Sequence, residues 1–288
     1  MKIDFHTHVH FENYNPEKLL EAMKRNNIRA AGLAGYNRDS YWDNILAFKK
    51  AGLNVEFDDL LCKVKKDGDF FYFPRINEWE NKDGFHLLVL GNQKGLSRGN
   101  CLEKNIEKAL ENECLPSIEH TFVNINYADI SKKQEEIVLK ICEKYNGKIA
   151  IGWNGYSIPC LKKAIDVIIS PARLIGKDIR FSDTNAKLEN FHKYLSYNKI
   201  NCPIIADTDL HARYEKDLNL IGTSDTDILV RTDGGKGFRD SFKQELFSGG
   251  YTINKGYVPI KHFMVSYAIP WVLGNLSKEF HIKLRPRG

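Results

Sequence analysis

The sequence contains no CxxC pair, no repeat or low-complexity tract, and no apolar run approaching the roughly 20 residues that cross a bilayer. Each absence removes a class of protein. Cys62, Cys101, Cys114, Cys142, Cys160 and Cys202 stand too far apart for a zinc ribbon or a dense disulfide framework, so reduced, buried thiols are expected. A strong excess of either charge is also missing: 42 Lys and Arg face 37 Asp and Glu, a formal +5. That balance is too even and too scattered for a nucleic-acid footprint, although a weakly basic surface tolerates anionic substrates. The most apolar stretch, HFMVSYAIPWVLGNL, is interrupted by Pro270 and Gly274 and reads as a packing helix, with no membrane role. Met1 leads directly into a motif-bearing strand with no secretory signal, so a cytoplasmic location is expected.

What is present is an ordinary globular composition, 42% hydrophobic and 27% charged over 288 residues. No Ser-, Gly- or Pro-rich linker divides the chain, so one α/β domain is expected over 1–288, with 226–288 as a carboxy-terminal extension packed on it. Short apolar runs alternate with helical patterns, the signature of strand-helix units around a mostly parallel sheet. KIDFHTHV is the first strand; a helix then starts at Pro16 with Asn15 as its cap, and IRAAGLA and SYWDNILAFKKAG continue as strand and helix. DFFYFPRINEW and FHLLVLG read as two strands joined by the turn NKDG. LPSIEHTFV, KIAIGWN and CPIIADTDLH follow as strands among further helices, including one near LKKAIDVI and one over FRDSFKQELFSGG.

The chemistry is concentrated at predicted strand ends. In DFHTHVH, residues 4–10, alternation in an extended strand would project His6, His8 and His10 from one face. Glu78, His86, His120, Asp209 and His211 fall at the ends of later strands, where α/β sheets and barrels place their ligand sites. One such histidine alone is an ordinary hydrogen-bonding residue. Crowded together without compensation, these groups would cost several kcal/mol in desolvation, whereas imidazoles and carboxylates together suit a divalent cation.

The series DFHTHVH, INEWENKDGFHLLVLG, SIEHTF and ADTDLHA resembles the PHP family, named for its polymerase and histidinol phosphatase members, over roughly residues 1 to 225. The resemblance implies a distorted seven-stranded β/α barrel of the TIM-like type, with two or three divalent ions (zinc, manganese or iron) at its mouth. It implies that His6, His8, Glu78 and Asp209 hold one ion, that Glu78, His86 and His120 hold a second with Glu78 bridging, and that His211 helps to hold a third. Glu80 lies on the same face as Glu78, and Asn77 is an alternative alignment, so both stay open as the bridging position. The chain departs from the family where a second-strand Asp-His pair is expected: Gly35 and Tyr36 stand there, leaving His10 or Asn13 to compensate, and two strongly held ions are expected. It departs again in IGWN, where Gly152 replaces an expected acid and Asn154 is the remaining polar group.

The implied activity is hydrolysis of a phosphate ester, on a small phosphomonoester or at a nucleotide or oligonucleotide end, by water activated between two ions. Asp209 would serve catalysis, and His211 or His10 would protonate the leaving alkoxide. Arg213, Arg38 and Arg98, the last near Lys94, are the candidate phosphate contacts. GNQKGLSRG and TDGGKGFRD lack the GK[ST] ending of a phosphate loop, and the aromatic run FFYF reads as core packing in preference to base stacking. Two other readings are an amidohydrolase-like hydrolase, which the DxH ending disfavours, and a degenerate PHP domain that binds metal or a partner without turnover.

Overall fold

A computed structural model describes residues 1–122, 130–155 and 184–263. The helix expected near LKKAIDVI, Cys160 and most of HFMVSYAIPWVLGNL lie outside these residues. The described strands are β1 (Lys2–Val9), β2 (Ala30–Leu33), β3 (Gly35–Tyr36), β4 (Asn54–Phe57), β5 (Leu61–Lys66), β6 (Asp69–Pro74), β7 (Ile76–Glu80), β8 (His86–Leu90), β9 (Leu115–Glu119), β10 (Ala150–Asn154), β11 (Ile204–Asp207), β12 (Leu210–Ala212), β13 (Asp225–Ile228) and β14 (Tyr251–Asn254). The helices are α1 (Pro16–Arg25), α2 (Tyr41–Lys50), α3 (Leu102–Glu111), α4 (Lys132–Lys144), α5 (Thr184–Tyr197), α6 (Gly235–Ser248) and α7 (Ile260–Phe263), with a 3-10 turn at Glu215–Leu220. None of the described helices is long and apolar enough to cross a membrane.

Local chemistry explains the helix starts. Asn15 accepts from the Glu17 amide ahead of Pro16, and Ser131 and Gln134 form a reciprocal capping box at the start of α4. The expected NKDG hairpin is present as β7 and β8, paired antiparallel from Ile76↔Leu90 to Glu80↔His86. DFFYFPRINEW, however, is two strands. The chain changes sheets at Arg75, because β6 completes an unforeseen antiparallel set with β4 and β5 while β7 joins the other sheet.

The expected seven-stranded barrel is not one continuous ladder among the described residues. Pairing divides into an eight-stranded sheet, ordered β14-β13-β1-β2-β6-β5-β4 with β12 also on β1, and a six-stranded sheet, ordered β11-β10-β9-β8-β7-β3. The sheets meet where a strand is interrupted. β2 pairs with β1, but after Ala34 its continuation β3 pairs with β7; β11 pairs with β10, but after Thr208 and Asp209 its continuation β12 pairs with β1. Parallel pairs β1-β2, β9-β10 and β10-β11 coexist with antiparallel β7-β8 and β8-β9, so the fold is mixed α/β.

A register shift between Asp4 and Thr7 in the pairing of β1 with β2 adjusts the strict alternation expected of DFHTHVH. Ile3 and Phe5 join the cluster that contains Ile76, Leu88 and Ile205, while His6 and His8 face Glu78, two residues beyond Ile76. Phe238, Phe242 and Leu246 of α6 belong to the same apolar cluster, with the Phe242 ring 4.5 Å from that of Phe5. β13 pairs antiparallel with the start of β1, so residues 225–228 are built into the sheet that carries the histidines.

Asp4 ties the break between β11 and β12, and the turn that precedes β13, to β1. Its carboxylate accepts from the Thr208 amide at 3.0 Å and the Gly222 amide at 2.8 Å. Burial nevertheless pushes its pKa up to about 6, against the pull of these amides. Because the folded value lies above the unfolded one, this contribution is fully present below about pH 3.8 and is lost as the pH rises through about 6, a change of about 3 kcal/mol. Asp4→Asn is expected to lose this slope. Urea unfolding of both proteins from pH 4 to 7.5 would show the wild type's stability falling relative to the variant, and parallel curves would refute the assignment.

Candidate metal centre

Six side chains from five strands and loops gather around Glu78. Glu78 Oε2 lies 3.5 Å from His6 Nε2 and 3.2 Å from His8 Nε2. Its other oxygen, Oε1, lies 2.5 Å from His86 Nδ1 and 3.6 Å from His120 Nε2. Asp209 faces the same imidazoles: Oδ1 is 3.6 Å from His6, 3.8 Å from His8 and 3.3 Å from His211, and Oδ2 is 3.4 Å from His120. His6, His8 and Asp209, and separately His6, Glu78 and His120, each offer ligand atoms within 4.8 Å of one another.

The backbone bends to achieve this. His120, just past the end of β9, has φ 45°, and Asp209, between β11 and β12, has φ 53°. Both conformations are costly for residues with a Cβ, though Asp tolerates the left-handed region better than most. LPSIEHTFV therefore ends as a strand at Glu119, and the turn that follows carries His120 inward.

Outer contacts fix several rings. His8 Nδ1 lies 3.0 Å from the Ala34 carbonyl, so that nitrogen donates and Nε2 is left to face Glu78. Asn154 Nδ2 meets His120 Nδ1 and donates to Asp209 Oδ2 at 3.2 Å. The His8 and His211 rings stack at 4.6 Å.

Such crowding moves the proton equilibria. Burial disfavours the His6 imidazolium, but the charges of Asp209 and Glu78 outweigh it and hold its pKa well above the ordinary value. Burial pushes His8 down to about 4; Glu78 opposes this, and His211 and His6 reinforce it. Burial would raise Glu78, yet the imidazoles of His86 and His6 hold it well below the usual carboxylate range. Asp209 is likewise depressed, burial being overcome by His120, His6 and His211.

The donor set fits divalent cations. His86 Nε2 is buried with no hydrogen-bond partner, Glu78 Oε1 and Asp209 Oδ1 face imidazoles, and neutral imidazole nitrogens mixed with carboxylate oxygens are the ligands that zinc, manganese and iron accept. Glu80 and Asn77, the alternatives to Glu78, are engaged elsewhere. Glu80 forms an ion pair with Arg98 at 3.0 Å, and Asn77 Oδ1 accepts from the Gly35 and Ser40 amides.

Not every expected residue reaches the cluster. His10 is 43% exposed on the rim and pairs with Glu12 at 3.2 Å, because the chain leaves β1 at Val9 and turns away. Arg213 and Arg38 have exposed side chains, and Arg38 lies 3.9 Å from Asp43. Arg98 is exposed but held by Glu80. Tyr36 sets its ring 5.7 Å from the His86 ring and donates its hydroxyl to Glu80 at 3.3 Å.

Two buried acids escaped the sequence reading. Glu119 and Asp207 lie behind His6, with Oε2 and Oδ1 at 3.9 and 4.0 Å from His6 Nδ1. The signals were available: Asp207 stands two residues before Asp209, Glu119 precedes His120, and Gly152 lies on the strand beside Glu119. A Cβ on Gly152 would overlap the Glu119 carboxylate.

No family model matches the chain, and no curated protein matches it in sequence. Its structure is similar to that of PsfC from Pseudomonas syringae, with a TM-score of 0.51 and 10% identity over 96% of this chain and 98% of that one. That likeness is one of fold. The lesion-specific endonuclease PfuEndoQ from Pyrococcus furiosus is similar at a TM-score of 0.49 and 15% identity, covering 88% of this chain. Endonuclease Q in complex with a 27-mer duplex bearing an abasic lesion is similar at 0.48 and 16% identity. The chain spans 57% of the length of each of these two nucleases.

The fit between Glu119 and Gly152 is open to a direct check. Gly152→Ala is expected to cost about 1–3 kcal/mol through overpacking. Adding Glu119→Ala should recover at least half of the loss, because the clash is with that side chain. Strictly additive losses in chemical unfolding would contradict the contact.

Proposed function

We propose that this chain is a metal-dependent phosphoesterase of the PHP type, acting on a small phosphomonoester or on a nucleotide or oligonucleotide end. One observation carries the reading: Glu78 turns one oxygen to His6 and His8 and the other to His86 and His120. A carboxylate shared in this way between two imidazole groups is what a pair of neighbouring cations requires. In this reading β1, β2 with β3, β7, β8, β9, β10 and β11 with β12 are the seven staves of a distorted barrel, and its two broken staves bring Asp209 and the β2-β3 junction to the mouth.

His6, His8, Glu78 and Asp209 would hold the first cation and Glu78, His86 and His120 the second, with zinc, manganese or iron suited to this donor set. When bound, two such ions lower the pKa of a water between them and neutralise charge that develops on the phosphoryl oxygens. Tyr36 occupies the position of the expected third-site histidine, so His211, 29% exposed beside Asp209, is freed for a different task. It would give a proton to the leaving alkoxide, with Asp209 orienting its ring. His10, on the outer rim, is the weaker candidate for that proton. Arg98, steadied by Glu80, and the exposed Arg38 and Arg213 would meet the substrate's remaining phosphate charge.

Turnover of chromogenic phosphate monoesters and diesters should appear with manganese or zinc and vanish with a chelator. His8→Ala and Asp209→Ala should each lower it by about 1,000-fold or more while circular dichroism shows a retained fold. A chain that binds cations but hydrolyses no monoester, diester or oligonucleotide end would instead be a metal-binding module. Glu78→Gln should weaken cation binding by at least about 100-fold, and Glu80→Gln by only a few-fold, in calorimetric titrations; equal losses would remove the bridging assignment.

A further inference from the structure

Behind the proposed cation centre lie two acids to which that reading gives no task. Glu119 closes β9 and Asp207 closes β11, and both are wholly buried. All four of their carboxylate oxygens lack a hydrogen-bond partner, as does His6 Nδ1, which lies 3.9 Å from Glu119 Oε2 and 4.0 Å from Asp207 Oδ1. Among the described residues neither acid has an ion-pair partner other than His6. Two carboxylates left so in a dry interior cost several kcal/mol when ionised, and burial together with the Glu119 charge holds the Asp207 pKa well above the usual carboxylate range; positive charge nearby would offset that cost. The sequence accommodates the cost deliberately, since β10 carries Gly152 where any side chain would expel the Glu119 carboxylate.

The charge of the centre supplies a reason. With neutral imidazoles, the ligand set contributes only the two negative charges of Glu78 and Asp209 against the four positive charges of two divalent ions. Glu119 and Asp207 bring two more. They stand about 1 Å beyond hydrogen-bond length from His6 Nδ1, close enough to act strongly on the ring in a low-dielectric interior. His8 and His120 have neutral partners at their outer nitrogens, the Ala34 carbonyl and the Asn154 amide, so His6 alone among these three faces anions on that side.

We propose that Glu119 and Asp207 are positioning residues of the cation centre: they balance its charge from behind and, by favouring a proton on His6 Nδ1, aim His6 Nε2 at the cation. This rests on the two-cation reading above. Carboxylates behind a liganding imidazole raise its basicity, and their loss typically weakens metal binding 10- to 100-fold.

The test compares metal-free and manganese-loaded full-length chain carrying Glu119→Gln, Asp207→Asn, or Glu119→Asp, which keeps the charge. Isothermal titration with manganese should show affinity about 10- to 100-fold lower for the two neutral variants and within a few-fold of wild type for Glu119→Asp, with the number of ions per chain unchanged. In the absence of metal, thermal unfolding of the neutral variants should move upward, because an amide costs less to bury than a carboxylate with no hydrogen-bond partner. A residue that merely supports the fold would not weaken metal binding while strengthening the metal-free protein. Unchanged affinity, or a fall in the metal-free melting temperature, overturns the proposal. One ion fewer at unchanged affinity also overturns it, since the acids would then hold an ion of their own. A wild-type chain that takes up no divalent cation refutes the two-cation reading itself, an outcome visible before any variant is compared.

Discussion

The Glu78 carboxylate organises the mouth of this fold. Each of its oxygens faces a different pair of imidazoles, and these come from three segments: β1, β8 and the turn after β9. In a buried site an anion so surrounded is held by charge and by direction at once, so the strands that deliver the imidazoles must end at one height. That requirement explains the departures from regular structure. The shift in β1, the break between β2 and β3, and the loop between β11 and β12 all lie within a few residues of the cluster. His120 and Asp209 both adopt left-handed backbone conformations there, a local cost that strained functional sites commonly carry.

Beneath the cluster the physics changes from polar to apolar within a single strand. β1 gives Ile3 and Phe5 to an interior sealed by Phe238, Phe242 and Leu246 of α6, and within one more residue gives His6 to the site. A packed floor of this kind excludes water from behind, so the only dielectric relief for the buried acids comes from the mouth and from whatever charge it holds. Asp4 illustrates the penalty when no such relief exists. Its carboxylate accepts two amides and still titrates near 6.

Much of this was legible in the sequence. HxH and DxH in strand context, with Glu78, His86 and His120 between them, name the residues that the fold brings together, because strand ends in α/β proteins share one face. Pairing was less legible. Arg75 separates two strands assigned to different sheets, and no local preference in DFFYFPRINEW announces the change; the partner strands β5 and β8 decide it. His10 stands apart from His6 and His8 for a related reason. Alternation is a property of a continuing strand, and β1 stops at Val9.

Gly152 shows why residues in such a site have to be read across strands. Along β10 it is a missing acid, and taken alone it suggests a centre that has lost a charge. Across the sheet, Ile118 pairs with Ile151, so the next residue on β9 is Glu119, whose carboxylate fills the space that a side chain on Gly152 would need. The glycine and the glutamate are therefore one feature: negative charge near His6 is retained but comes from the neighbouring strand. With Asp207 reaching the same point from β11 on the other side of β10, the interior behind His6 holds more carboxyl groups than any single strand reveals. A fold that had given up its cations would gain by exchanging either acid for an apolar residue of similar size. The chain carries both acids, together with the glycine that makes room for one of them, and in the proposed reading positive charge at the mouth would offset the cost of that combination.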